Sequence, residues 1–252
     1  MGIPVLGCDC AVCTSPDPRN RRLRTAALLQ ACGQTILLDV GPDVRQQLLR
    51  ANVRHLDAVI LTHGHADHIG GIDDLRPFTM RRGPDGKTPT LPLYGDAATI
   101  ARVRHQFDYA FDPAPSLSTR PALTTHVVTE PFAVGALQLT PFTVMHGPHP
   151  ITGYRWGRVA YLTDAKTLPT ATTAQLHGLT LLVMNALRHT DHPLHFTVSQ
   201  AVAQAEALQP RQTLLVHMTH DLEHVATNAA LPPTIQLAYD GQSIELPDEA
   251  CT

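Results

Sequence analysis

The chain has 252 residues, of which 43 % are apolar and 16 % charged, and its net charge is −3 with neutral histidines. That composition provides a core to bury and excludes a disordered or fibrous protein. It also lacks the overall basic field with which a dedicated nucleic-acid module neutralises phosphates. No stretch approaches the roughly 20 apolar residues of a membrane span, and no basic segment followed by an apolar run marks a secretory signal. A cytoplasmic protein with neither a membrane partner nor a stable nucleic-acid complex is expected.

Short apolar runs rich in β-formers recur along the chain and alternate with helical patterns. Two strands are predicted over residues 25–31 and 34–40, followed by a helix over 43–51 with Val44, Leu48 and Leu49 on one face. A strand over 58–62 leads to helical candidates at 68–81 and 96–110, with loop-like stretches rich in Gly, Pro and Ser at 83–92 and 112–121. Strands follow over 137–145, 159–163 and 180–184. Thr197-Val198-Ser199-Gln200 then reads as a capping box opening a helix over 198–208, which Pro210 closes. Strands over 213–217 and 235–239 complete the series. This order predicts an α/β fold in four layers, αβ/βα, with two mixed sheets face to face and helices outside. Neither loop reads as a linker, so one domain over 1–252 is expected.

The 58–62 run ends abruptly at His63-Gly64-His65-Ala66-Asp67-His68. In an extended segment residues two apart point the same way, so His63 and His65 can grip one cation. Asp67 and His68 follow where the chain turns into a helix and can hold a second ion.

This run matches the metal motif of the metallo-β-lactamase superfamily, and the resemblance implies the rest of the ligand set. Asp39, in Leu38-Asp39-Val40-Gly41, corresponds to the aspartate that supports the site from behind the ligands. His146 corresponds to the third ligand of the first metal, Asp164 to the carboxylate bridging both metals, and His217 to the last ligand of the second. The implied site has His63, His65 and His146 on one metal, Asp67, His68 and His217 on the other, and Asp164 between them. Imidazole and carboxylate suit zinc, manganese or iron. Two such ions about 3.5–4 Å apart activate a shared hydroxide and stabilise charge on a phosphoryl oxygen. The leaving alkoxide needs a proton, and His195, just before the capped helix, is the candidate general acid. Asp67 is counted with it as catalytic.

Cys8-x-Cys10-x-x-Cys13 offers three thiolates, one short of a closed tetrahedral zinc site. With His220 three residues after His217, the arrangement resembles the phosphoribosyl cyclic-phosphate phosphodiesterases of the carbon–phosphorus lyase pathway. In that family a histidine in the position of His220 completes a structural zinc, and a catalytic histidine matches His195. Relatives carry a further strand ahead of the segment matching Gly2–Cys8, so either a first strand is missing from the N-terminus or that edge of the fold is built differently. Cys32 reads as a core residue and Cys251 as part of a tail. Four arginines lie in Arg19-Asn20-Arg21-Arg22-Leu23-Arg24, and Arg22 and Arg24, with His192, are candidates for holding a substrate phosphate.

The reading is therefore a phosphodiesterase acting on a small cyclic or nucleotide-like phosphodiester, with two catalytic divalent metals, one structural zinc and a homodimer as the assembly allowed for. The competing readings are a tRNA 3′-processing endonuclease, a lactonase-type ester hydrolase and a non-catalytic accessory protein of cofactor biosynthesis.

Overall fold

The computed structural model describes residues 2–80, 88–112, 114 and 118–246. Contacts divide them into two compact units, one of residues 25–139 and one of residues 2–24 with 140–246.

The 25–139 unit opens with a hairpin of β1 (Ala27–Ala31) and β2 (Gln34–Leu38), turned at Cys32 and Gly33 with φ of 55° and 73°. Positive φ at both central residues is the two-residue turn that matches strand twist. Cys32 therefore sits half-exposed at a turn and is disulfide-bonded, which corrects its expected place in the core. Next come α1 (Val44–Arg50), β3 (Ala58–Ile60), α2 (Ala66–Ile69) and, after a 3-10 turn, α3 (Arg76–Met80). Then follow β4 (Leu91–Gly95), α4 (Ala97–Gln106), α5 (Asp108–Phe111), β5 (Leu123–Val127) and β6 (Phe132–Val134). The sheet order is β1-β2-β3-β4-β5, parallel from β2 onward. Parallel strands end at one edge, so β2 and β3, in register at Leu38 and Ile60, deliver Asp39 and the Thr62–His63 step side by side. Beneath them Leu37, Val40, Val44, Val59, Leu61, Ile69, Leu93 and Val103 form one buried cluster.

Two expected helices differ. The 96–110 pattern breaks at Phe107, whose φ and ψ of −119° and 40° are not helical, and the 68–81 pattern becomes α2, the 3-10 turn and α3. Residues 83–87 of the expected loop lie outside the described residues, as do 113 and 115–117 of the second. Leu91 and Pro92 open β4 rather than closing a loop.

Strand β7 (Leu137–His146) begins in the 25–139 unit, where Leu137, Gln138 and Leu139 pair with β6, and runs on from Thr140. The second unit continues through β8 (His149–Trp156), β9 (Val159–Tyr161), α6 (Thr170–Gln175), β10 (Leu181–Asn185), α7 (Val198–Leu208), β11 (Gln212–Val216), α8 (His224–Ala230) and β12 (Ile235–Leu237). The strands lie in the order β12-β11-β10-β9-β8-β7, parallel from β9 to β12 and antiparallel from β7 to β9. The predicted capping box is present: Gln200 N donates to Thr197 Oγ1 at 3.1 Å and Thr197 N to Gln200 Oε1 at 3.1 Å. Val198, Ala201, Ala205 and Leu208, three or four apart, bury one face of α7 in a core with Leu162, Leu182, Met184 and Leu215.

Two mixed sheets flanked by helices thus make up the fold, as the strand order predicts. Among the described residues no helix is long and apolar enough to cross a membrane.

Candidate metal centres

In the 25–139 unit the histidine run is held by Asp39, which is fully buried in the left-handed region at φ 61°. Its carboxylate accepts from Thr62 N at 2.8 Å and lies 2.8 Å from His68 Nδ1. A carboxylate only accepts, so His68 carries its proton on Nδ1 and offers the Nε2 lone pair to a metal. The same logic passes through Thr62, whose hydroxyl donates to Asp39 at 2.9 Å and so accepts from His63 Nδ1 at 3.0 Å. His63 is thereby fixed as an Nε2 donor. Its Nε2 lies 3.0 Å from His65 Nδ1, close to the spacing of two nitrogens each about 2.0–2.1 Å from one zinc. Asp67 Oδ2 stands 3.7 Å from His68 Nε2. The donor set fits divalent metal ions, with one donor pair made by His63 and His65 and the other by Asp67 and His68.

In the 140–246 unit β7 ends at His146, while Asp164 lies in the loop after β9 and His217 directly follows β11. His146 Nδ1 faces two carbonyls, Asp164 O at 2.6 Å and Leu194 O at 3.0 Å, which fixes its proton there and presents Nε2. Asp164 and His217 both adopt positive φ, 57° and 56°, conformations that cost about 1–3 kcal/mol each and collect at functional sites. Thr163 Oγ1 donates to Asp164 Oδ2 at 2.7 Å, and Oδ1 stands 3.3 Å from His217 Nε2 and 3.6 Å from His195 Nδ1. The ring of His195 stacks on that of His217 at 5.1 Å and meets that of His146 edge-on at 4.7 Å. His195 is 8 % exposed. Burial pushes its pKa down to about 3 against the upward pull of Asp164.

The cysteine cluster lies in the same unit. Sγ of Cys8, Cys10 and Cys13 are 3.2, 3.5 and 3.5 Å from His220 Nδ1. A tetrahedral zinc with Zn–S near 2.3 Å and Zn–N near 2.0–2.1 Å sets sulfur and nitrogen about 3.5 Å apart, so the donors fit a zinc. The Cys13 N–H donates to Cys10 Sγ at 3.4 Å, and this bond leads the effects that hold the Cys10 thiol down to about 6.

The structure gives Arg22 a different role from the phosphate-holding one expected of it. It is buried, and its guanidinium donates to Thr219 O at 3.1 Å, Leu222 O at 2.7 Å and Asn20 Oδ1 at 3.4 Å. Arg22 thus ties residues 2–24 to the loop that carries His217 and His220. Asn20 adds two bonds to that loop, to Glu223 Oε1 at 2.8 Å and from His224 N at 2.9 Å. Arg24 is half-buried beside Gly2. His192 packs its ring 4.9 Å from that of His195 and accepts from Leu194 N at 3.2 Å. Sequence reasoning missed Asn185, fully buried at the end of β10, which accepts from Ala165 N at 2.8 Å and donates to Ala165 O at 3.0 Å. The signal for it was a lone amide closing an apolar run.

Residues 34–218 match a family model described as the beta-lactamase superfamily domain. A protein of Porphyromonas gingivalis (strain W83) named octanoyltransferase is 37 % identical over 244 residues, 95 % of this chain and 48 % of that protein. Ribonuclease Z of Bradyrhizobium sp. (strain ORS 278) is 40 % identical over 86 residues, 33 % of this chain and 27 % of that enzyme. The chain spans half or less of these curated relatives. A solved structure described as a new diphosphatase from the PhnP family superposes with a TM-score of 0.91 at 42 % identity, covering 100 % of this chain and 94 % of that one.

Proposed function

Because the chain belongs to the beta-lactamase superfamily, and is a hydrolase of that fold, we propose that it cleaves a phosphodiester on a small cyclic or nucleotide-like substrate. In this reading His63, His65 and His146 hold one divalent metal, Asp67, His68 and His217 a second, and Asp164 bridges them. Cys8, Cys10, Cys13 and His220 hold a structural zinc. Bound metals supply Lewis-acid stabilisation of a phosphoryl oxygen and an activated water.

The observation that carries the reading is His195. It packs against the bridging carboxylate and between two ligand rings, yet the ligand set is complete without it. An imidazole so placed suits proton transfer to a leaving oxygen. Burial keeps it neutral in the free protein; a bound phosphate anion acts in the same direction as Asp164 and favours the protonated donor. The whole-length likeness to a diphosphatase supports the same substrate chemistry. The positive φ of Asp164 and the Asn185 bonds to Ala165 hold the bridging carboxylate in place before substrate arrives, the condition for electrostatic stabilisation without reorganisation.

The test is an activity panel on metal-loaded wild type and His195→Ala. Its substrates are bis-p-nitrophenyl phosphate, 2′,3′- and 3′,5′-cyclic nucleotides, a ribosyl 1,2-cyclic phosphate, pre-tRNA, a lactone and an octanoyl ester. Turnover of a small diester, reduced about 10²–10⁴-fold in His195→Ala, is expected. Turnover confined to pre-tRNA or to carbon esters would overturn the reading.

A further inference from the structure

His63, His68 and His146 each have an Nδ1 held by a hydrogen-bonded partner. His195 differs. Its Nδ1 is buried with no hydrogen-bond partner among the described residues, and Asp164 Oδ1, at 3.6 Å, lies beyond hydrogen-bond reach. Rotation of an imidazole about its bond to Cβ is broad and roughly two-fold, so packing must set this ring. Three rings supply the packing: His217 stacked at 5.1 Å, His146 edge-on at 4.7 Å and His192 tilted by 45° at 4.9 Å. His146 and His217 belong to the ligand set of the reading above, and His192 stands outside it.

The His192 ring is itself aimed. Leu194 N donates to its Nδ1 at 3.2 Å, which leaves the ring proton on Nε2. Leu194 is fastened in turn. Its carbonyl accepts from His146 Nδ1 at 3.0 Å, and its Cδ2 crowds the place a Cβ on Gly147 would take. Gly147, the residue after His146, also has φ of 60°, so a side chain there is excluded twice over. On the other side of His192, Asp191 accepts from Lys166 Nζ at 2.7 Å, and its carbonyl accepts from Arg188 Nη2 at 2.8 Å. The loop that presents His192 to His195 is thus bonded at both ends of the turn.

Resting on the phosphodiester reading, in which His195 is the proton donor, we propose that His192 is a positioning residue. Its ring, aimed by the Leu194 N–H, holds the His195 imidazole in the orientation that proton transfer requires. This role differs from holding a substrate phosphate, and kinetics separate the two. A positioning residue lowers kcat and acts only while His195 is present, whereas a phosphate-holding residue raises KM. A misplacement of about 1 Å costs on the order of a hundredfold in rate, so loss of one of three packed rings is measurable.

The experiment is a double-mutant cycle of His192→Ala and His195→Ala on zinc-loaded protein, with zinc content measured for each variant. The substrate is whichever of the cyclic nucleotides and the ribosyl 1,2-cyclic phosphate wild type cleaves fastest, because their leaving alkoxides need a proton. His192→Ala should lower kcat roughly tenfold to a hundredfold, with KM and zinc content unchanged. In the His195→Ala background the same change should cost less than about twofold, the non-additivity of two residues that act as a unit. Bis-p-nitrophenyl phosphate, whose stable phenolate leaves without a proton, should lose less than the alkoxide substrate. His192→Phe, which keeps a ring, should recover part of the rate, and His192→Asn, which keeps only an acceptor for Leu194 N, should not. Equal losses in both backgrounds, a raised KM at unchanged kcat, or recovery by Asn and not by Phe would overturn the assignment. If wild type cleaves no diester the phosphodiester reading falls, and the His195 ring signals in proton–carbon NMR spectra still decide the positioning role. Those signals, identified by their loss in His195→Ala, should be single and sharp in wild type and broadened or doubled in His192→Ala. A single sharp set in His192→Ala would show that His192 does not hold the ring.

Discussion

Asn185→Ala should be among the most damaging substitutions that touch no ligand. Asn185 and Ala165 are both fully buried, and the amide of Asn185 satisfies both backbone groups of Ala165, at 2.8 and 3.0 Å. Truncation leaves the Ala165 N–H buried without that partner, at about 1–3 kcal/mol, while the Ala165 C=O loses one of two donors and keeps Phe196 N at 2.8 Å. The N–H alone therefore costs about 1–3 kcal/mol, a sizeable share of the roughly 5–15 kcal/mol by which domains are stable. Asn185→Asp is the sharper comparison. It keeps an acceptor for Ala165 N but sets a carboxylate oxygen against the Ala165 carbonyl, which it repels. Urea unfolding of wild type and both variants, monitored by circular dichroism, measures the loss from the midpoint shift at constant m. Metal titration reports whether Asp164, one residue away at φ 57°, still takes its place. An Asn185→Ala variant within about 1 kcal/mol of wild type, with unaltered metal affinity, would refute the argument that this amide holds the Asp164 carboxylate in place.

The legible features in the sequence were those written in short-range pattern. His63–His68 sets four candidate metal donors in six residues, and Thr197 with Gln200 declares a helix start, because both depend on spacing along one segment. The β4, β5, β6 and β8 strands were not legible. Pro92 within β4 and Gly95 at its end weaken its strand signal in the sequence, β5 alternates weakly because only Leu123 is buried in it, and β6 has three residues. Such strands are specified by the neighbours they pair with. Arg22 was misjudged for a similar reason. Four arginines in six residues resemble a phosphate-binding surface, and only the distant carbonyls of Thr219 and Leu222 turn one of them into a buried clamp. Asp39 needed both kinds of information: the Leu-Asp-Val-Gly step suggested a supporting role, and the bonds to Thr62 and His68 show how it sets the tautomers of two histidines.

Arg22→Ala should lose about 2–4 kcal/mol of stability, since the carbonyls of Thr219 and Leu222 lose a charged donor. In zinc-loaded protein it should also speed release of zinc from the proposed Cys8–Cys10–Cys13–His220 site to a chromogenic chelator, and release at the wild-type rate would show that the clamp does not support that loop. A pH prediction follows from His224, which is 5 % exposed with its Nδ1 buried and without a hydrogen-bond partner, and whose pKa burial pushes down. Its folded pKa lies below the ordinary value near 6.5, so the native state keeps it neutral while the unfolded chain takes up a proton. The stability it confers is therefore present above pH 6.5 and lost as pH falls from there through the lowered folded value, at up to about 1.4 kcal/mol per pH unit. Wild-type stability between pH 6.5 and 5 should accordingly fall more steeply than that of His224→Gln by up to one proton. Equal slopes would mean that His224 gains a partner when protonated, for which Asp17 and Glu223, the acids that already raise its pKa, are the available groups.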